Sequence, residues 1–398
     1  MRDQLLQHIH DLGDDDLPAY LYDLRELREH AAAIRAALPE RVQLLYAAKA
    51  NSDPWLLDVL QHHVDGFEVA SGGELRHVQA TCPGTPIAFG GPGKTPAELA
   101  GALQAGVERL HIESEQELRL LAGLLGERTV DVLLRVNLPI ALGPVALAMG
   151  GEPSPFGLDP THLDSCLALI AAAPRIRLRG IHVHLASGLD ATTHVDLAGQ
   201  VLSWASDWSN EKGVELTEVN LGGGMGVDYG RPDQRFDWTG YGAGLRRLLE
   251  RYPGLTLRIE PGRSVSVYCG WYVTEVLDIK RSHGHVFAVL RGGTHHLRTP
   301  ATKQHDQPFV IVPVDTWDRP WERPQAQGEP MTLVGQLCTP KDVLARGVQV
   351  GRLRVRDRVA FALAGAYAWN ISHHDFLMHP APHFQHLDQV PVPAGSHP

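Results

Sequence analysis

Four cysteines in 398 residues, Cys82, Cys166, Cys269 and Cys338, form neither a CxxC pair nor any other metal-like spacing. That argues against a zinc ribbon, and reduced cysteines are the plain reading. No apolar run approaches the ~20 residues that cross a bilayer, so no membrane span is expected. Positive charge is in deficit: 36 Lys and Arg against 46 Asp and Glu leave a formal charge of -10. The cations are scattered, whereas a nucleic-acid surface needs a concentrated basic patch. The N-terminus, MRDQLLQHIHDLGDDD, turns acidic at once and reads as neither signal nor transit peptide. A reduced, cytoplasmic protein bound to neither nucleic acid nor membrane is the expectation.

What is abundant is apolar material, 43% of the chain, enough for a sizeable core in a length that suits two domains. Histidine is the compositional oddity, with 22 residues, several of them in HHDFLMHPAPHFQH near the C-terminus. No HExxH or Cys–His cluster accompanies them, so they read as loop histidines and no metal site is expected.

Short Val/Ile/Leu-rich runs alternate with helical patterns from residue 40 to residue 265. The strand-like runs fall at 42–48, 65–70, 86–90, 108–112, 131–136, 178–184, 216–221 and 255–260. Strands alternating with helices imply βαβ units and a parallel sheet. Eight such units in about 225 residues match a (β/α)8 TIM barrel, with a doubly wound open sheet as the alternative. Beyond 265 the runs are strand-like with turns between them, which predicts a C-terminal β-rich domain. The strand-like PAYLYDL (18–24) has no place among the eight and is expected to join that second sheet. The predicted division is a barrel over 27–265, and residues 1–26 with 266–398 as a β-sandwich or barrel-like domain.

Unusual polar residues fall at the carboxyl ends of the predicted barrel strands, where such barrels build active sites. They are Lys49 in YAAKAN, Glu68 and Ser71 around strand two, Arg135 in LRVN, His184 in HVHLASG, the glycines of GGGMG and Glu260 in IEPGR. Each has a plainer reading: a loop lysine is usually solvated, and His182 and His184, alternating on one strand, suit satisfied core histidines. Lys49, however, follows an apolar run and is flanked by Ala47, Ala48 and Ala50. A partly desolvated lysine there has a lowered pKa and attacks carbonyls. GGGMG after a strand frees backbone N–H groups for an anion such as phosphate. GGPGKT (90–95) is no P-loop, because Ala88 stands where that motif needs glycine. A carbonyl-trapping lysine beside a phosphate cradle suits pyridoxal phosphate, and equally a sugar-phosphate aldolase.

The motifs YAAKAN, EVASGGEL, GPGK, RVN, FGLD, HVHLASG, GGGMG, EPGR, CTPKD and GAY, in that order, resemble the pyridoxal-phosphate decarboxylases of the alanine-racemase-like fold (fold type III), which include the diaminopimelate and ornithine decarboxylases. The likeness spans nearly the whole chain. It implies that Lys49 carries the cofactor as a Schiff base, that His184 stacks on its ring and that Glu260 pairs with the ring nitrogen. Ser187, Gly222, Gly223, Gly224, Gly262, Arg263 and Tyr367 would surround the cofactor and its phosphate, and Glu68 would pair with Arg135 near the ring hydroxyl. Cys338, entering from a second subunit, would protonate the carbanion, which implies a homodimer with shared sites. A carboxylate at the ring nitrogen favours the pyridinium, the better electron sink, and so decarboxylation over racemisation. A racemase of the same fold is the second alternative.

Two departures bear on substrate. Thr339 stands where diaminopimelate and ornithine decarboxylases carry an acidic residue directly after the cysteine. The segment 291–309, RGGTHHLRTPATKQHDQPF, is unlike that of a diaminopimelate enzyme. Both features resemble the staphyloferrin-type branch of siderophore assembly, which decarboxylates a citryl–amino acid conjugate. Arg298, His295, His296, Lys303 and His305 would then supply cations or donors for the citrate-like end, with Thr339 and Asp342 at the same site. Diaminopimelate decarboxylation is the alternative.

Overall fold

The computed structural model describes residues 2–140, 147–303 and 305–387. The first strand, β1 (Ala19–Asp23), lies outside the barrel. Eight parallel strands then close on themselves: β2 (Val42–Ala47), β3 (Gly66–Val69), β4 (Ile87–Phe89), β5 (Arg109–Ile112), β6 (Val130–Arg135), β8 (Ile176–His182), β10 (Glu218–Asn220) and β11 (Thr256–Ile259). Between β6 and β10, the two-residue strands β7 (Leu147–Ala148) and β9 (Ala186–Ser187) pair as a separate antiparallel ribbon. All eight barrel strands coincide with the predicted runs, and the open-sheet alternative falls with the β11–β2 pairing that closes the ring. The strands are short and almost wholly buried, as both-face burial in a barrel requires.

Turn chemistry starts the helices behind these strands. Ser71 caps Gly72–Thr81, Ser114 caps Glu115–Leu124 and Asp190 caps Ala191–Lys212, each side chain accepting a backbone N–H of the first turn. Thr95 and Glu98 form a reciprocal capping box for Pro96–Ala105. Ser71 is thereby committed to its helix. Where β8 crosses β10, a Cβ on Gly180 would lie 1.7 Å from the Glu218 carbonyl oxygen, so only glycine fits. At the amino-terminal end of the barrel Glu218 accepts from Arg109 Nε at 2.5 Å and Nη2 at 3.0 Å, and Arg258 Nη2 reaches Glu108 at 2.7 Å. Buried charges survive there because each faces an opposite one.

The chain forms two compact units: Arg28–Val227 with Arg235–Val265, and Met1–Leu27 with Asp228–Gln234 and Ser266–Pro398. The second unit is a mixed sheet of β12 (Gly270–Ser282), β13 (His285–Leu290), β14 (Phe309–Val312), β15 (Gln325–Val334), β16 (Val343–Arg354), β17 (Arg358–Phe361) and β18 (His383–Leu387). β1 pairs antiparallel with β12 and parallel with β18. The helix Arg2–Asp11 lays Leu5 and Ile9 against Ala19, Leu21, Val273 and Ala360 of this sheet.

Candidate active site

In the barrel unit, β2 ends in a single 3-10 turn, Ala48–Ala50, whose two alanines are buried and whose lysine points outward. A Cβ on Gly262 would lie 2.7 Å from Ala50 Cβ, so the PGR turn after β11 packs directly on the lysine turn. Lys49 Nζ donates to Glu68 Oε2 at 2.7 Å. The Lys49 side chain is 45% exposed, hence partly covered, and a carboxylate is its partner. One expectation is corrected here: Glu68 does not pair with Arg135, whose Nη1 donates to Glu113 Oε1 at 2.8 Å. The same Glu113 accepts from Gly91 N and Gly157 N, so one buried carboxylate fixes Arg135 and two loops. Burial pushes the Glu68 carboxyl up, opposed by Lys49 and reinforced by the negative charge of Glu260. A carboxylate with raised proton affinity beside the lysine can take the proton that the amine must lose to become nucleophilic.

Glu260 directly follows β11 and is 7% exposed. Asn220 Nδ2 donates to its Oε1 at 2.6 Å, while Asn220 Oδ1 accepts from Gly222 N at 2.9 Å. One side chain thus ties the carboxylate to the glycine loop. Added Cβ atoms on Gly222, Gly223 and Gly224 would come within 2.7 Å of His184, 2.5 Å of the Glu260 carbonyl oxygen and 2.3 Å of the Ala186 carbonyl oxygen. His194 Nε2, in contact with the Gly223 carbonyl oxygen at 2.9 Å, braces the loop from behind. His184 lies two residues past β8. Burial, then Arg135, His182 and Lys49, hold its pKa well below the ordinary histidine value, so its ring is neutral. Ser187 sits in the β9 ribbon, and Arg263 opens the short helix Arg263–Ser266.

Asn220, His194, Glu113 and the buried pair His111 and His182 were not singled out as site residues by the sequence. For Asn220 a signal existed, since it stands two residues before GGG on the strand.

In the second unit, the Asp342 carboxylate is buried and accepts from Thr294 N at 2.6 Å and Leu337 N at 2.8 Å. It anchors the loops that carry His295 and Cys338, and both its oxygens are already engaged by backbone. His295 and His296 are 0% and 2% exposed, and burial pushes them down to about 4 and about 3. Burial thus disfavours the cationic form of both and leaves the donor role of the expectation. His296 is placed by Tyr272 Oη at 3.0 Å and the Pro380 carbonyl oxygen at 3.0 Å. His305 stacks on Tyr229 with ring centroids 4.2 Å apart. Arg298 and Cys338 are exposed, Thr339 is half-buried, and the Lys303 side chain lies outside the described residues. Tyr367 has a left-handed backbone (φ 48°), and its carbonyl oxygen accepts from Thr299 Oγ1. The tail histidines have local partners: His374 stacks on Trp369 at 3.6 Å, and His379 contacts Gln336.

The barrel mouth thus offers an accessible amine beside a buried carboxylate, a glycine loop closed behind by packing, a neutral imidazole over that loop and a second buried carboxylate. These fit the aldehyde, phosphate, ring face and ring nitrogen of pyridoxal phosphate. Sequence comparison gives the class: the chain belongs to the pyridoxal-dependent decarboxylases, whose pyridoxal binding domain matches residues 24–267. It is 42% identical over 376 residues, 93% of this chain and 94% of the relative, to the 2-[(L-alanin-3-ylcarbamoyl)methyl]-2-hydroxybutanedioate decarboxylase of Staphylococcus aureus. It is also 31% identical, over 92% of this chain and 88% of the relative, to the L-glutamyl-[BtrI acyl-carrier protein] decarboxylase of Niallia circulans. The fold is shared with diaminopimelate decarboxylase from Helicobacter pylori at a TM-score of 0.83, 23% identity and coverage of 98% and 94% of the two chains. The protein is a pyridoxal-phosphate-dependent amino-acid decarboxylase. When bound, the cofactor supplies the sink for the electron pair left as carbon dioxide departs.

Proposed function

We propose that this enzyme decarboxylates an α-amino acid conjugated to a citrate-like acid, as in siderophore assembly, and does so as a cytoplasmic homodimer. The 42% identity over 93% of the chain to the Staphylococcus aureus enzyme carries the reading. That enzyme's name describes an alanine unit joined through a carbamoyl link to a hydroxybutanedioate, itself a dicarboxylate. Thr339 agrees, since a neutral residue after the cysteine suits a substrate whose distal end is anionic. With burial favouring neutral His295 and His296 as donors, the exposed Arg298 is assigned, with Lys303, as a cation for that end.

In this reading Lys49 would hold the cofactor, with Glu68 beside it to take up the amine's proton. His184 would lie against the ring and Glu260 would favour a protonated ring nitrogen. Ser187, Gly222–Gly224, Arg263 and Tyr367 would bind the phosphate. Cys338 of one copy delivers a proton to the substrate α-carbon in the other.

Carbon dioxide release from citryl-diaminopropionate, meso-diaminopimelate, ornithine and lysine, measured in parallel, tests the assignment. A kcat/KM for the citryl conjugate at least a hundredfold above the others is expected. Preference for diaminopimelate would overturn the substrate class, and a monomer by light scattering would overturn the shared site.

A further inference from the structure

Close to the Glu260 carboxylate lie two buried histidines that the proposed function leaves without a task. His111 on β5 and His182 at the end of β8 stack with ring centroids 4.5 Å apart and planes 15° from parallel. They are 1% and 4% exposed. His182 Nε2 lies 3.2 Å from Glu260 Oε2, and His111 Nε2 lies 3.6 Å from Oε1. Neither makes a full hydrogen bond, and among the described residues neither these two nitrogens nor His182 Nδ1 has a hydrogen-bond partner. Buried imidazole nitrogens without partners are costly, and the Glu260 carboxylate is the acceptor within their reach.

We propose that His111 and His182 are positioning residues for Glu260, presenting one imidazole N–H to each carboxylate oxygen and so fixing its aim at the cofactor's ring nitrogen. This rests on the pyridoxal-phosphate assignment above. Such hydrogen bonds often stay long until the ligand is seated. The charge state of the pair is what makes it useful. An imidazolium at either place would cancel the negative charge that stabilises a protonated ring nitrogen. Desolvation holds both rings well below the ordinary histidine value; for His111 the Glu260 charge opposes it and His182, Lys94 and Arg258 reinforce it, and for His182 Arg135, Lys49 and Lys94 reinforce it. They orient the carboxylate without neutralising it. The other groups around Glu260 are Asn220 on β10, the Glu68 charge from β3 and the neutral His184. Nearly parallel stacked rings do not aim two nitrogen lone pairs at one point, which argues against the same trio as a tetrahedral metal site.

The test uses the holoenzyme with His182→Leu and His182→Gln, the amide of Gln standing in for Nε2–H, and His111→Leu and His111→Gln as an independent pair. The readouts are the dissociation constant for pyridoxal phosphate and the pH midpoint of the bound cofactor's visible absorbance. Each Leu variant is expected to weaken cofactor binding about tenfold and shift the midpoint by about one unit, as loss of a hydrogen bond to a charged group implies. Each Gln variant should recover most of both. Where a position-182 variant does not fold, the position-111 pair decides. Wild-type values in the Leu variants, or equal losses in Leu and Gln, would overturn the inference and leave the cofactor assignment standing. A wild-type protein that takes up no pyridoxal phosphate would overturn both.

Discussion

Replacing Glu260 with Gln removes one charge and turns one acceptor into a donor at a site with no room for either change. The side chain is 7% exposed, and its Oε1 accepts from Asn220 Nδ2 at 2.6 Å. An amide must turn its NH2 either toward Asn220, opposing two donors, or toward His182 Nε2, 3.2 Å from Oε2. A hydrogen bond to a charged group contributes about 1.5–3 kcal/mol. The same charge is what raises the electron-accepting power of the ring, so the loss falls on the transition state more than on substrate binding. At 1.36 kcal/mol per tenfold, a loss of about 2–3 kcal/mol lowers kcat by about 30- to 150-fold with KM little changed. The assay is carbon dioxide release from the citryl conjugate, with retained visible cofactor absorbance as the control for folding and loading. A fully loaded Glu260→Gln enzyme within threefold of wild-type kcat would refute the reasoning.

Other outcomes follow from the same geometry. Gly223→Ala places a methyl group 2.5 Å from the Glu260 carbonyl oxygen, and the strain of about 1–3 kcal/mol should appear as cofactor lost on dialysis. Arg298→Ala should raise KM for the citryl conjugate about tenfold while kcat holds; unchanged KM would remove Arg298 from the substrate end. Glu218→Ala takes one carboxylate from the buried Arg109 and Arg258, leaving Asp131 and Glu108 as their partners, and should cost about 1.5–3 kcal/mol in denaturant melts, with the cofactor spectrum unaltered. His295 and His296 are held neutral by burial, so the fold gains from them above the free-histidine value of 6.5. That gain is lost as pH falls through that value toward about 4 and about 3. The Tm should therefore fall steeply between pH 6.5 and 4, and less so in a His295→Phe variant.

The barrel was legible because its signal is local: each strand is a short apolar run set between helices, and all eight observed strands fall on those runs within two residues. Lys49, Glu68, Arg135 and Glu260 were legible as residues of the rim because each sits at a strand end. Their partners were not. Glu113 takes Arg135 from 22 positions away, and Lys49 takes Glu68 from across a β-strand pair. No periodicity encodes such choices. The burial of His295 and His296 was not legible for a related reason: nothing in a polar segment announces it, and it comes from packing against Tyr272 and the Asp342-anchored loops. His111 and His182 look like ordinary strand residues until the closed barrel brings them to Glu260.

The most direct test of the account is to fix the cofactor to the loaded protein with borohydride, digest it and map the modified peptide by mass. A single phosphopyridoxyl adduct on Lys49, absent from Lys49→Ala together with carbon dioxide release, is the expected result. An adduct on another lysine, or release that persists in Lys49→Ala, would contradict it.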